Sequence, residues 1–481
     1  MLFTAKEATL FNFNWIIYFG VILAGLIVFW RFLNRPGWIL CALALAVSFI
    51  SVNIHIGFTF YVSRILMACL LIVALVRAKC DLRGGINWKI NRNYLFLFAG
   101  TIFFQIISSL SAPSVSDSLR QMFIYLSMMA VFLSVLFLGV DVSGIIRAVY
   151  FYLAFSILQG LVGVYQVIGG LLGWPMYNDF LGQIPVGNPR NAQGIYWFPG
   201  EMVPRAFGFL SDVNHYAGYM VGVIVLAMAL IAWNRKRIFP YLVLVSGFAG
   251  LMLSLSRSGM LTLGLFGIPA LLLVLHRVRF SLRNLIRPTL LTGGMLILLL
   301  VVGGMRSGGS SIGNIIKGRF GSLTHPGAGE RYHLLSRLMA LDALATNPLI
   351  GVGMGVNSTP WYSERYDAYW AGAHSHHFDA LGQTGLLGAG LQWLFMFLVG
   401  FRMWQGLLVG RRGSQESAIL AGVLAAFIAI IFGNFFYYYY LNDFVWFLMG
   451  CGVALSNKII FEARNNSAGL KQSEELSQSH L

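Results

Sequence analysis

The chain is expected to fold as an all-α polytopic membrane protein of about 12–13 transmembrane helices, with a large, partly helical extracytoplasmic loop. Three observations predict this. Of 481 residues, 58% are hydrophobic and only 10% charged, and the mean hydropathy is +0.74. A water-soluble chain of this size has no interior large enough for so much apolar surface. The apolar residues come in blocks of roughly 17–25, the length of a bilayer-spanning helix. Inside the blocks polar and apolar residues do not alternate, as the strands of a membrane barrel would.

The predicted spans are roughly 13–30, 37–54, 58–76, 94–111, 121–140, 146–170, 213–233, 239–255, 259–276, 288–305, 378–400, 418–436 and 441–457. The first block lacks a small-residue cleavage site and reads as retained. The basic residues test the count. Arg31 and Arg35; Arg77, Lys79, Arg83, Lys89 and Arg92; Arg147; Arg235, Lys236 and Arg237; Arg277, Arg279, Arg283 and Arg287; and Arg402, Arg411 and Arg412 fall in alternate connections. With Lys458, Arg464 and Lys471, 21 of the 33 basic residues lie on one side. The positive-inside rule makes that side cytoplasmic and the N-terminus external. The net charge of +16 is thereby assigned to cytoplasmic loops rather than to nucleic acid. Cys41, Cys69, Cys80 and Cys451 lie in or beside apolar blocks without a CxxC pair, so neither a disulfide framework nor a zinc site is expected.

The chain then divides into N-terminal helices 1–170, an extracytoplasmic loop 171–212, helices 213–305, a large extracytoplasmic loop 306–377, C-terminal helices 378–457 and a cytoplasmic tail 458–481. Residues 465–481 are polar and read as disordered. The first loop carries Tyr196, Trp197 and Phe198, which suit a membrane interface. In the second, Glu330 to Thr346 sets Leu334, Leu338 and Leu341 on one face, an amphipathic helix suited to the outer leaflet and ended by Asn347-Pro348.

Polar groups converge on the outer side. Arg205 precedes the seventh span, and Arg257 occupies a short turn between the eighth and ninth. Arg331 lies in the large loop, while His374, His376 and His377 open the eleventh span with Asp379 beside them. An arginine this close to hydrocarbon is costly without an anion or a route to the interface. A phosphate satisfies it through two parallel hydrogen bonds. A histidine, with an ordinary pKa of about 6.5, serves as a base near neutral pH. The dipole of a helix N-terminus disfavours its protonated form. Arginines holding a diphosphate and a base on a hydroxyl together describe glycosyl transfer from a lipid carrier.

Plainer readings exist for each residue taken alone. Single arginines snorkel to interfaces. Histidines cap helices or bind metal, although Asp379 is the one acidic neighbour here. Tyr437 to Tyr440 read as an interfacial aromatic belt, with sugar stacking as the second reading. Asp212, Asn214 and His215 read as the cap of the seventh span. Gly382, Gly385 and Gly388 read as one helix face open to close packing.

The pattern His374-Ser375, nine residues, then Gly385-Leu-Leu-Gly388 resembles the O-antigen ligase/O-antigen polymerase family of bacterial envelope glycosyltransferases. Arg257-Ser-Gly-Met-Leu261, Arg205-Ala-Phe-Gly with Asn214-His-Tyr-Ala, and Arg331 with Asn347-Pro-Leu-Ile-Gly351 resemble it further, over about 205–390. The resemblance implies a membrane-embedded, metal-independent, inverting glycosyltransferase without cofactor. It implies an undecaprenyl-diphosphate-linked glycan as donor, and lipid A core or a second lipid-linked glycan as acceptor. A chain-length regulator is an expected partner. The site would face the periplasm from the bacterial inner membrane, with Arg205, Arg257 and Arg331 on the diphosphate. The register selects His374 as base and His376 as next choice, because Ser375 stands where Asn is more frequent. Protein O-oligosaccharyltransfer is the related alternative, disfavoured by the expectation that no soluble domain follows the last span. A transporter is the rival from another class, but it calls for ionisable groups near the midplane and for paired repeats.

Overall fold

In a computed structural model the described residues are 35–48, 53–55, 59–61, 86–110, 112, 114–172, 195–198, 201–210, 212–277, 306–307, 310–311, 328–355 and 372–478, with single residues at 67, 72, 286, 290 and 294. The predicted spans 13–30, 58–76 and 288–305 lie largely outside them, as do residues 356–371 of the large loop.

The protein is a helical bundle. Its helices are α1 (Pro36–Ala46), α2 (Ile86–Leu110), α3 (Val115–Phe137), α4 (Val142–Leu172), α5 (Val213–Trp233) and α6 (Phe239–Leu253). α7 (Arg257–Leu261) passes through a π-helical turn (Thr262–Gly267) into α8 (Ile268–Arg277), forming one span. Then come α9 (Ala328–Thr346), α10 (His376–Val409), α11 (Gln415–Gly433) and α12 (Asp443–Gln478). Among the described residues eight helices are long and apolar enough to cross a membrane, and α1 and α6 are shorter apolar helices. Three two-residue to four-residue hairpins accompany them. One pairs β1 (Asn53–His55) with β2 (Thr59–Tyr61), at the predicted turn between the second and third spans. Another pairs β3 (Ile195–Phe198) with β4 (Glu201–Pro204) in the first long loop.

α5 is the central helix, buried along nearly its whole length and packed between α6 and α11. Gly422 of α11 lets its backbone approach Leu226 of α5, a contact a side chain would block. A second centre joins α2, α3, α10 and α12 through aromatic rings. Phe395 stacks on Trp446 with centroids 5.6 Å apart, and Phe132 meets Phe395 edge to face at 5.4 Å.

Several expectations change here. α12 runs on to Gln478 in place of the expected disordered tail; Glu, Lys, Gln and Leu are good helix formers, and the span provides the nucleus. The expected amphipathic helix is present as α9, with Leu334, Leu338 and Leu341 exposed. Its buried face is Ser336, Met339, Ala340 and Ala343, and α10 meets it with Gly382 against the Ala340 backbone. The glycine triplet is not one helical face. Gly385 has φ 63° and ψ −170°, so α10 is interrupted there. Residues 348–353 dock on the interruption. Leu386 N–H donates to the Pro348 carbonyl at 2.8 Å, and Val352 N–H to the Gly382 carbonyl at 3.0 Å. A Cβ on Gly385 would collide with the Leu349 backbone, and one on Gly351 (φ 73°) with that of Gln383. Of the tyrosines read as an interfacial belt, Tyr439 and Tyr440 are buried and Tyr437 and Tyr438 half-buried.

Candidate functional site

Two polar turns meet at one end of the bundle. The first joins α6 to α7. Leu255 adopts φ 52°, an uncommon conformation for a non-glycine residue. Ser256 caps α7 by accepting from Gly259 N–H, so Arg257 is the first helical residue. The preceding strand end is fastened to the same turn. Ala206 N–H donates to the Leu253 carbonyl at 3.0 Å, and Arg205 Nε to the Ser254 carbonyl at 2.7 Å. Gln166 Oε1 of α4 accepts from Phe207 and Gly208 N–H, and Gln159 Oε1 from Phe209 N–H. Arg205 is therefore buried and fixed beside the turn that carries half-buried Arg257.

The second turn leads into α10. His374 has φ 48°. Leu255 and His374 are the two non-glycine residues with positive φ among the described residues, and one sits in each turn. Such conformations persist where surrounding contacts over-determine them. Those contacts are visible: Ala373 N–H donates to Asp379 Oδ1 at 3.0 Å, and His374 N–H to the Tyr438 hydroxyl at 2.7 Å. The Asn434 carbonyl at the end of α11 accepts from His376 N–H at 3.0 Å and from Ser375 Oγ at 2.9 Å. The Asn434 side chain accepts from Tyr440 N–H at 2.8 Å. The tyrosine run is thus bonded into the turn. Tyr439 lies in slots left by Gly218 and Gly433, and its hydroxyl donates to Ser258 Oγ at 2.9 Å.

The N-terminus of α5 bridges the two turns. Ser256 Oγ donates to Asn214 Oδ1 at 2.7 Å. His215 meets the Tyr437 ring at 5.4 Å, and Tyr437 in turn lies 6.1 Å from the His374 ring. Asp212 caps α5 and is close enough to favour a charge on His374. The predicted cap of the seventh span is present and also part of the site.

The structure separates the three histidines. His377 Nε2 lies 2.8 Å from the Ile431 carbonyl, which only accepts, so Nε2 carries the proton. Nδ1 accepts from Trp393 Nε1 at 3.1 Å. Both nitrogens of His377 are committed to structure. His376 is buried, 4.7 Å from the Tyr440 ring, with the Tyr125 hydroxyl 3.5 Å from either nitrogen. His374 is half-buried. Burial pushes its pKa down to about 4, helped by His333 and Arg337 and opposed by Asp212.

The sequence gives no reason to single out His333, and it sets Arg337 only beside the leucine face of the amphipathic helix, not at the site. They stand one turn apart on α9, a spacing that puts both on one face. Arg337 donates through Nη2 to the Phe435 carbonyl at 3.0 Å, with its guanidinium 5.9 Å from the Phe378 ring centroid. Burial lowers the Arg337 pKa from its ordinary value. Arg331 lies in the first turn of α9, and its side chain is outside the described residues. Among the described residues no three His, Cys, Asp or Glu side chains form a metal-holding group.

The spans and this polar end define a polytopic helical membrane protein with an arginine and histidine site at one end of its bundle. Residues 242–392, about a third of the chain, match the family described as O-antigen ligase. The match runs from α6 through the interruption in α10 and includes Arg257, Arg331, His333, Arg337 and His374; Arg205 precedes it. It supports a ligase or polymerase type of function in surface polysaccharide biosynthesis, with lipid-linked glycans as the substrate class. No curated protein matches the chain.

Proposed function

We propose that the protein is a metal-independent, inverting glycosyltransferase that transfers or polymerises an undecaprenyl-diphosphate-linked saccharide at the outer face of the bacterial inner membrane. One observation carries this reading. His374, half-buried and held in a left-handed backbone conformation, shares the end of the bundle with the turn that carries Arg257 and binds Arg205. The named basic residues supply the orientation. Leu386 and Arg402 stand 16 residues apart on the uninterrupted part of α10, about 24 Å at 1.5 Å per residue, with His376 beyond the interruption. The basic end is then cytoplasmic and the histidine end external.

In this reading His374 accepts the proton of an acceptor hydroxyl as that oxygen attacks the anomeric carbon. The bond from that carbon to the diphosphate oxygen breaks, and undecaprenyl diphosphate leaves. Arg205, Arg257 and Arg331 hold the charge that develops on it. The proton then passes to solvent. Attack opposite the leaving group inverts the anomeric centre. A resting pKa of about 4 keeps the ring neutral at pH 7. The bound diphosphate raises it, because a nearby anion favours imidazolium, and this strengthens the base when the donor is in place.

The test is made on purified protein in lipid with chelator present, supplied with a lipid-diphosphate repeat unit, with and without lipid A core. Elongation from donor alone identifies a polymerase, and product only with the core identifies a ligase. Full activity of His374→Ala with either acceptor refutes the mechanism.

A further inference from the structure

The other end of the bundle holds a second concentration of arginine. There α2, α10 and α12 enclose a cavity of about 280 Å³ lined by Asn93, Arg402, Gln405 and Arg464, with Leu398 and Phe401 as its apolar wall. The Arg402 guanidinium is built in. Its Nε donates to Asn457 Oδ1 at 2.6 Å and its Nη1 to Gln405 Oε1 at 3.2 Å. Asn457 Nδ2 in turn donates to Asn91 Oδ1 at 3.3 Å, so one polar chain ties the three helices. These bonds fix the plane of the guanidinium and leave Nη2 without a protein acceptor among the described residues. Arg464 is exposed at the cavity and repels Arg402. Among the described residues no carboxylate lines the cavity. Two like charges beside apolar surface are costly until an anion joins them.

A second observation indicates which anion. Phe401 also lines an apolar groove of about 470 Å³ between α10 and α11, walled by Trp393, Phe397, Phe427 and Phe432. A cationic pocket and an apolar groove along a span that share one aromatic ring match a headgroup joined to an acyl chain. Inorganic phosphate uses only the first part. Basic pockets between spans near the membrane surface bind anionic lipid headgroups by the same chemistry.

We propose that this end of the bundle is a binding site for an anionic phospholipid. Its phosphate is held by Arg402 and Arg464, and one acyl chain runs past Phe401 into the groove between α10 and α11. The lipid neutralises the arginine pair and braces α2, α10 and α12 at the end far from His374.

The experiment is native mass spectrometry of the delipidated full-length protein titrated with dioleoylphosphatidylglycerol, dioleoylphosphatidylcholine or inorganic phosphate. Unfolding temperature is followed in parallel. Wild type is expected to retain one phosphatidylglycerol in preference to phosphatidylcholine and to melt higher with it. Arg464→Gln removes an exposed side chain, so the lipid-free protein should melt as wild type does. Its phosphatidylglycerol affinity should fall about tenfold, the loss of one charge-assisted contact. Equal retention by wild type and Arg464→Gln overturns the site. Equal retention of the two lipids overturns anion recognition. Displacement of the lipid by millimolar inorganic phosphate shows a free-anion pocket and overturns the lipid assignment.

Discussion

The rings of His333 and His374 meet edge to face, with centroids 4.3 Å apart and planes at 70°. Protonating both would place two positive charges in contact inside a half-buried site. His333 therefore acts with burial to hold His374 neutral.

This sets a pH dependence. The folded pKa of His374, about 4, lies below its ordinary value of 6.5. The unfolded chain thus binds the proton more readily. The stability this group contributes is complete above pH 6.5 and is lost as pH falls from there toward 4. In the free enzyme the acid limb of kcat/KM is expected below 6.5. His333→Ala removes one depressing cause and should move that limb upward. A limb unmoved in His333→Ala, measured across pH 4–8, argues against the coupling.

The histidines are expected to differ in kind. His374→Ala should lose at least about 100-fold in turnover, the lower range for removing a general base. His377→Gln should keep the chemistry, since neither His377 nitrogen is available for it, and lose stability at the junction of α10 and α11. Turnover and unfolding temperature, measured on both variants, separate the two effects. Full turnover in His374→Ala with loss in His376→Ala would transfer the base to His376.

Arg257→Gln should weaken binding of undecaprenyl diphosphate by about 10–100-fold, which corresponds to one charged hydrogen-bonding partner. Arg205→Lys should weaken it as well and also lower stability, because the Nε bond to the Ser254 carbonyl is lost. Binding to labelled undecaprenyl diphosphate is the measurement. Unchanged affinity in Arg257→Gln would remove that residue from the site.

Two glycines of α10 should respond oppositely to alanine. Gly390 is helical, and nothing lies within 4 Å of where its Cβ would be. Gly390→Ala should stabilise by about 0.5–1 kcal/mol. Gly385→Ala should destabilise by more than about 1 kcal/mol, from the positive φ and the collision with Leu349. Thermal unfolding of both variants in one detergent decides it.

Much of the fold was legible because the bilayer permits few solutions. A backbone in hydrocarbon must satisfy its own hydrogen bonds, so long apolar blocks become helices. That is why the predicted span 213–233 coincides with α5. The interruption at Gly385 was not legible, because a glycine that breaks a helix and one that lets a neighbour approach look alike in sequence. Which side of α9 faces the bundle was hidden for a similar reason. In a membrane protein the exposed side can be leucine-rich, so Ala340 and Ala343 turn inward instead of Leu338.

The sequence by itself determined the helical membrane class, the alternation of basic connections, and the order in which Arg205, Arg257 and the histidines enter the chain. Those properties reside in composition, block length and spacing. Only the tertiary structure distinguished the surroundings of the three histidines. The difference depends on groups distant in sequence: Ile431 and Trp393 engage His377, Tyr440 covers His376, and Tyr438 fixes the backbone of His374. Bringing α9 against that turn added His333 and Arg337, residues about forty positions away whose effect on His374 acts through space.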